Sequence, residues 1–149
     1  MVYSCGLISI SMKKEQRNFI EKIAKHWFLR NLFNSDVATF IGCQFALESN
    51  FGSSRLATFQ NNFCGMKTPS KRVFYGVSNL SLNGGFACYS SLDFCVVDYC
   101  SWVLYNRPKM SDISSVENYS LWLENKNYCP EKDYIKKIVS LFNSYNNVD

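Results

Sequence analysis

Histidine, proline and glycine are scarce in this chain, at one, three and seven residues of 149. With His26 as the only imidazole, a nucleophile–imidazole pair of the Cys/His kind has a single candidate base. That histidine sits mid-helix among Lys25, Trp27 and Arg30 and reads as a structural or surface residue. No apolar run approaches the roughly 18 residues needed to cross a bilayer. The seven cysteines (5, 43, 64, 88, 95, 100 and 129) contain no C-x-x-C pair, and their spacing fits neither a disulfide framework nor a zinc site. Cys43, Cys95 and Cys100 fall among apolar neighbours, where free cysteine acts as a small hydrophobe. Reduced thiols point to synthesis in a cytosol. Met1–Ser11 lacks a basic start and a small-residue cleavage site, so no signal peptide is read. Dense Lys/Arg patches and nucleic-acid motifs are also missing; the net charge of +4 suits an anionic polymer without requiring nucleic acid. One gap bears directly on chemistry: no Asp or Glu occurs between Glu48 and Asp93.

What is present describes a globular chain, with 47% hydrophobic and 16% aromatic residues. Its length fits one domain over 1–149, residues 1–12 being a peripheral segment. Helical spacing over Lys13–Arg30 predicts an amphipathic helix with Phe19, Ile20, Ile23, Ala24, Trp27 and Phe28 inward. A second helix, capped by Ser35, is predicted to end near Glu48, with Gly52 as its left-handed stop. Between Thr68 and Tyr89 the helical period vanishes. Arg72–Gly76 and Leu82–Phe86 there predict two short strands around a turn-rich loop. Ser90-x-x-Asp93 predicts the start of a helix towards Tyr105, and Ser114-x-x-Glu117 another ending near Asn125. Pro130 is placed at the first position of a last helix with Tyr134, Ile135, Ile138, Val139 and Phe142 inward. The fold class expected is α+β and predominantly helical.

Glu48 stands out. It ends a helix whose Val37, Ile41 and Phe45 share its side. A carboxyl at the end of an apolar face loses hydration as an anion, so its pKa should rise, which suits a general acid near neutral pH.

Ala46-Leu47-Glu48-Ser49-Asn50-Phe51-Gly52-Ser53-Ser54-Arg55-Leu56-Ala57, followed by Asn61-Asn62-Phe63-Cys64-Gly65-Met66-Lys67, resembles the glucosaminidase family of peptidoglycan hydrolases, glycoside hydrolase family 73. Phe86-Ala87-Cys88-Tyr89-Ser90-Ser91 and Asn127-Tyr128-Cys129-Pro130-Glu131-Lys132-Asp133-Tyr134 are similar to two later segments of that family. The resemblance implies a lysozyme-like helical lobe with a small β-hairpin lobe flanking the cleft. It implies hydrolysis of the β-1,4 bond between N-acetylglucosamine and N-acetylmuramic acid, with Glu48 as the catalytic acid. Tyr128 matches a family tyrosine near that acid, placed to orient water or the substrate's acetamido group. Asn62, Lys67, Phe74 and Tyr75 are candidates for substrate contact, the two aromatic rings by stacking on sugars. Peptidoglycan glycan strands are the expected partner of a monomer that needs no metal or cofactor.

The chain departs from the family where many members carry a second acid in the hairpin. Its hairpin offers Lys71, Arg72, Tyr75, Ser78, Asn79, Ser81 and Asn83, and Asp93 reads as a helix cap. Either neutral groups position a water, or the substrate's 2-acetamido oxygen attacks the anomeric carbon, which needs one protein acid only. The competing readings are a lytic transglycosylase and a non-catalytic wall-binding module. A substrate outside the cytoplasmic membrane and no visible signal peptide together lead to the expectation of a bacterial or phage protein made in the cytoplasm. A phage, conjugation or secretion apparatus would then deliver it to the wall.

Overall fold

The computed structural model describes residues 12–77, 81–82 and 84–147. The N-terminal segment expected to be peripheral, and the hairpin positions Ser78, Asn79 and Asn83, lie outside the described residues. Among these residues the α-helices are α1 (Lys14–Ala24), α2 (Trp27–Leu32), α3 (Ser35–Ser49), α4 (Arg55–Gln60), α5 (Leu92–Tyr105), α6 (Val116–Asn125) and α7 (Tyr134–Asn146). Two short strands, β1 (Ser81–Leu82) and β2 (Phe86–Ala87), pair antiparallel with Ser81 opposite Ala87 and Leu82 opposite Phe86. The expected class, helical with a small hairpin, is what forms.

Helix α3 is the hub. Val37, Ala38, Phe40, Ile41, Cys43, Gln44, Phe45, Ala46 and Ser49 are all buried, so it presents no wet face. A helix apolar all round has to be enclosed by others. Helix α1 packs along one side and α6 and α7 along others. The approach of α1 is close enough that a Cβ on Gly42 would stand 2.7 Å from the carbonyl oxygen of Ile20. Only glycine permits that crossing.

Several boundaries differ from expectation for local reasons. The single helix predicted over Lys13–Arg30 is two, broken at Lys25–His26. His26 takes extended backbone and its Nδ1 accepts from the Phe28 N–H, capping α2. Its Nε2 bonds Asp93 Oδ1 at 2.8 Å, so a contact from α5 fixes the break. Trp27, predicted inward, is 65% exposed as a result. Helix α3 is capped by Asn34, whose Oδ1 accepts from the Val37 N–H at 2.9 Å, and not by Ser35. Its left-handed stop is Asn50 (φ 49°), ahead of Gly52. Ser91 and Ser115 cap α5 and α6, each one residue past the serine predicted. The last helix starts at Tyr134, with Pro130 in the segment before it.

Arg72–Gly76 is not a strand; it is an irregular segment pinned by α5. Arg72 grips Asp98 with both terminal nitrogens, at 2.7 and 2.9 Å, and the Tyr75 N–H donates to the same carboxylate at 3.1 Å. The hairpin instead leans on the segment after α4: the Ala87 N–H donates to Met66 O, the Thr68 N–H to Gly85 O, and Lys67 bridges to Phe86. That sheet edge carries one wall of the cleft.

Candidate active site

Glu48 occupies the last turn of α3, and the chain reverses immediately after it. Ser49 holds the reversal: its Oγ donates to Phe45 O at 2.7 Å and accepts from the Gly52 N–H at 2.8 Å. The carboxyl opens onto a cleft of about 600 Å³ walled by Gly65–Ser70, Arg72, Phe86, Trp102 and Lys126–Pro130. Glu48 is the sole carboxyl among the described residues lining it, facing Lys67, Arg72 and Lys126.

Two neighbours set the acid's position. From one side, the turn after α4 brings Gly65 against it: a Cβ there would lie 3.0 Å from Glu48 Oε1. Gly65 has φ +72°, a left-handed conformation that side chains disfavour. Asn62 builds this turn. Buried to 1% exposure, it donates to Met66 O and Ala87 O at 2.8 and 2.9 Å, while its Oδ1 accepts from the Gly65 N–H at 2.9 Å. From the other side, the Tyr134 hydroxyl at the start of α7 neighbours the carboxyl. Burial pushes the Glu48 pKa above the ordinary glutamate value; the Tyr134 hydroxyl opposes that rise and the charge of Glu131 adds to it. Desolvation therefore wins, as expected for an acid facing a largely apolar wall.

The other predicted site residues divide. Tyr128 lines the cleft, and its hydroxyl donates to Cys64 O at 2.7 Å, so its proton is committed and its oxygen remains an acceptor. Lys67 also lines the cleft, with Nζ 5.4 Å from the Phe86 ring centroid. Asn62 is consumed by the turn. Phe74 packs on Tyr89, ring centroids 6.1 Å apart, and Tyr75 lines a separate groove with Phe28, Val73, Leu104 and Tyr105. The structure does not bring these two rings to the cleft. The aromatic walls there are Phe86, Trp102 and Tyr128, the last two edge-to-face at 4.8 Å.

Sequence reasoning missed Gln44, Trp102 and Asp98, and treated Tyr134 as a core residue only. Asp98 had a readable signal, being an acid set between Val97 and Tyr99 in the apolar middle of a helix. Among the described residues no cluster of three His, Cys, Asp or Glu suits a metal ion.

The sequence profile of glucosaminidases, described as mannosyl-glycoprotein endo-beta-N-acetylglucosaminidase, matches residues 34–147, from the α3 cap through α7. The chain belongs to the glucosaminidase family. The catalytic domain of the autolysin Auto from Listeria monocytogenes shares the fold at TM-score 0.62 and 25% identity, over 94% of this chain and 89% of that one. A chain of a type VI secretion system effector–immunity complex from Pseudomonas protegens superposes at TM-score 0.68 over 89% of this chain and 92% of that one. Its 13% identity supports likeness of fold alone. No curated protein matches the chain in sequence. This glucosaminidase has the mostly helical lysozyme-like fold and is a glycoside hydrolase acting on peptidoglycan. No helix among its described residues is long and apolar enough to cross a membrane.

Proposed function

We propose that the protein is an endo-β-N-acetylglucosaminidase that cleaves the β-1,4 bond between N-acetylglucosamine and N-acetylmuramic acid, with Glu48 as general acid. One observation carries the reading: a half-buried carboxyl with a raised pKa is the sole acid among the described residues lining a cleft of sugar-binding size. An acid whose pKa is raised by desolvation holds its proton to higher pH and can deliver it to a leaving glycosidic oxygen.

Glycosidases that use two carboxyls hold them about 5–5.5 Å apart for retention or about 6.5–9.5 Å for inversion. Glu131 is the other acid that Glu48 feels, but it lies in the segment before α7, lines a neighbouring hollow and is ion-paired with Lys137. The arrangement favours assistance by the substrate. Glu48 protonates the leaving oxygen while the 2-acetamido oxygen of N-acetylglucosamine attacks the anomeric carbon, giving a cyclic oxazolinium and a free muramic 4-hydroxyl. Glu48, now a carboxylate, takes a proton from water as that water opens the ring, and configuration is retained. Tyr128, with its proton held by Cys64 O, presents an acceptor for the acetamido N–H. Lys67 and Lys126 on the cleft wall suit the carboxylates of the muramic lactyl group and stem peptide, while Arg72 is held by Asp98.

Digestion of purified peptidoglycan with mass analysis tests this reading. Reducing N-acetylglucosamine ends, lost in Glu48→Gln, are expected. Anhydro-muramic ends would make the enzyme a lytic transglycosylase. Binding without turnover would make it a wall-binding module.

The chain is further read as one catalytic domain acting as a monomer, delivered to the wall by a phage, conjugation or secretion apparatus. Fractionation of producing cells tests it, since a cleaved, Sec-exported form would sink the delivery idea.

A further inference from the structure

The polar groups buried behind Glu48 form one continuous chain. Gln44, one helical turn before Glu48 on α3, is fully buried, as are Tyr99 on α5 and Tyr119 on α6, and Tyr134 is 4% exposed. The Tyr99 hydroxyl donates to Gln44 Oε1 at 2.7 Å, and Gln44 Nε2 donates to the Tyr134 oxygen at 3.0 Å. The Tyr99 and Tyr119 oxygens are 2.5 Å apart. A phenol has one proton to give. Because Tyr99 gives its proton to Gln44, Tyr119 must be the donor in that last pair. Because Tyr134 receives the Gln44 amide, its own proton is free for the Glu48 carboxyl. The three bonds therefore point the same way, Tyr119 to Tyr99, Tyr99 to Gln44 and Gln44 to Tyr134, and they leave the Tyr134 proton for the carboxyl beside it. Reversing the Gln44 amide would turn Tyr134's proton back onto Gln44 and leave the carboxyl without its donor.

We propose that this buried chain makes Tyr134 a positioning residue, directing its hydroxyl proton onto one oxygen of Glu48 so that the acid's own proton sits on the other oxygen, facing the cleft. The inference rests on Glu48 being the general acid. Its physical basis is that a buried polar chain with every member satisfied holds one direction, since any reversal strands a donor or acceptor away from water. A donor held against the carboxylate stabilises the anion and so limits how far burial raises its pKa. The other groups bearing on Glu48 are Glu131 before α7 and Tyr128 after α6, with Lys67, Arg72 and Lys126 lining the same cleft. From the turn after α4, Gly65 faces it and adds no titrating group.

Tyr134→Phe removes one oxygen and keeps the ring. In that variant the Glu48 pKa, followed by carboxyl carbon NMR, is expected to rise. The alkaline limb of kcat/KM should move up with it, while kcat falls about tenfold or more at little change in KM. Tyr99→Phe, behind the cleft wall formed by Trp102 and Tyr128, frees Gln44 to reverse and should move the same limb in the same direction by less. An unmoved Glu48 titration in a folded Tyr134→Phe protein overturns the proposal, as does loss of melting temperature with an unchanged pH profile. The NMR titration reads Glu48 whether or not it is catalytic. Full activity of Glu48→Gln would instead overturn the assignment of the acid and leave the titration result standing.

Discussion

Two carboxyls among the described residues, Asp98 and Glu48, are treated in opposite ways. Asp98, in the middle of α5, is wholly buried and fully served: two nitrogens of Arg72, the Tyr75 N–H and the Tyr89 hydroxyl at 2.5 Å all reach it. Glu48, at the end of α3, has one phenol beside it, and the charge of Glu131 also bears on it. The first is an anchor that fastens an irregular segment onto a helix. The second is left short of compensation for its negative charge, and on the proposed reading that shortage fits it to donate a proton. Burial alone does not make an acid reactive; burial without a partnering cation does.

Exchanging the two conditions tests the contrast, and the largest effect is expected at Glu48. Glu48→Gln keeps the shape but cannot donate a proton, so reducing-end release from peptidoglycan should fall by about 10²–10⁴. Its stability should move the other way. The folded pKa of Glu48 lies above the unfolded value, so the parent loses stability as pH rises through the folded pKa. Melting curves of Glu48→Gln and parent should coincide in acid, below about pH 4, and separate in favour of the variant as pH rises. A variant less stable than the parent at neutral pH would break the contrast.

Asp98→Ala should do the reverse. Removing one partner of a buried ion pair strands the Arg72 guanidinium, only 4% exposed, at a cost of about 3–5 kcal/mol in denaturant unfolding. A loss below about 1 kcal/mol, the scale of a surface pair, would show that water reaches the site.

Gly65→Ala gives a middling effect. It forces a side chain into a left-handed position at about 1–2 kcal/mol and presses on Glu48 Oε1 from 3.0 Å. Turnover should drop about tenfold or more, because acid–base catalysis depends on placement. Retained turnover with lowered stability would mean that the carboxyl has room to shift.

Asp93→Asn should do least. Asp93 is exposed and bonds His26, away from the cleft, and an amide still accepts that bond, so activity should stay within several-fold of the parent. Abolished turnover would instead make Asp93 the missing second acid.

The legible parts of the sequence were those decided locally. Helical period marked α3, α5, α6 and α7, and the carboxyl closing an apolar face marked Glu48. Capping serines were found to within one residue, because Ser90-Ser91 and Ser114-Ser115 each offer two equivalent hydroxyls and the extended backbone falls on the second. The break at His26 was illegible: neither glycine nor proline marks it, and it rests on a bond from Asp93, 67 positions away. Phe74 and Tyr75 read as sugar-stacking rings because an aromatic pair in a hairpin region looks the same whether it faces a cleft or a core. The pull of Asp98 on the Tyr75 N–H places them away from the cleft.

By itself, then, the sequence determined a mostly helical chain with a short hairpin, a family resemblance that the glucosaminidase profile bears out, and one acid where the family motif places it. Periodicity, caps and contiguous motifs are properties of neighbouring residues, and a linear reading reaches them. Tertiary structure decided what surrounds that acid. Gln44, Tyr99, Tyr119 and Tyr134 are spread over 90 positions and meet only when α5, α6 and α7 close around α3. Desolvation and the direction of a hydrogen bond depend on which groups meet in space, and no local pattern along the chain encodes that meeting.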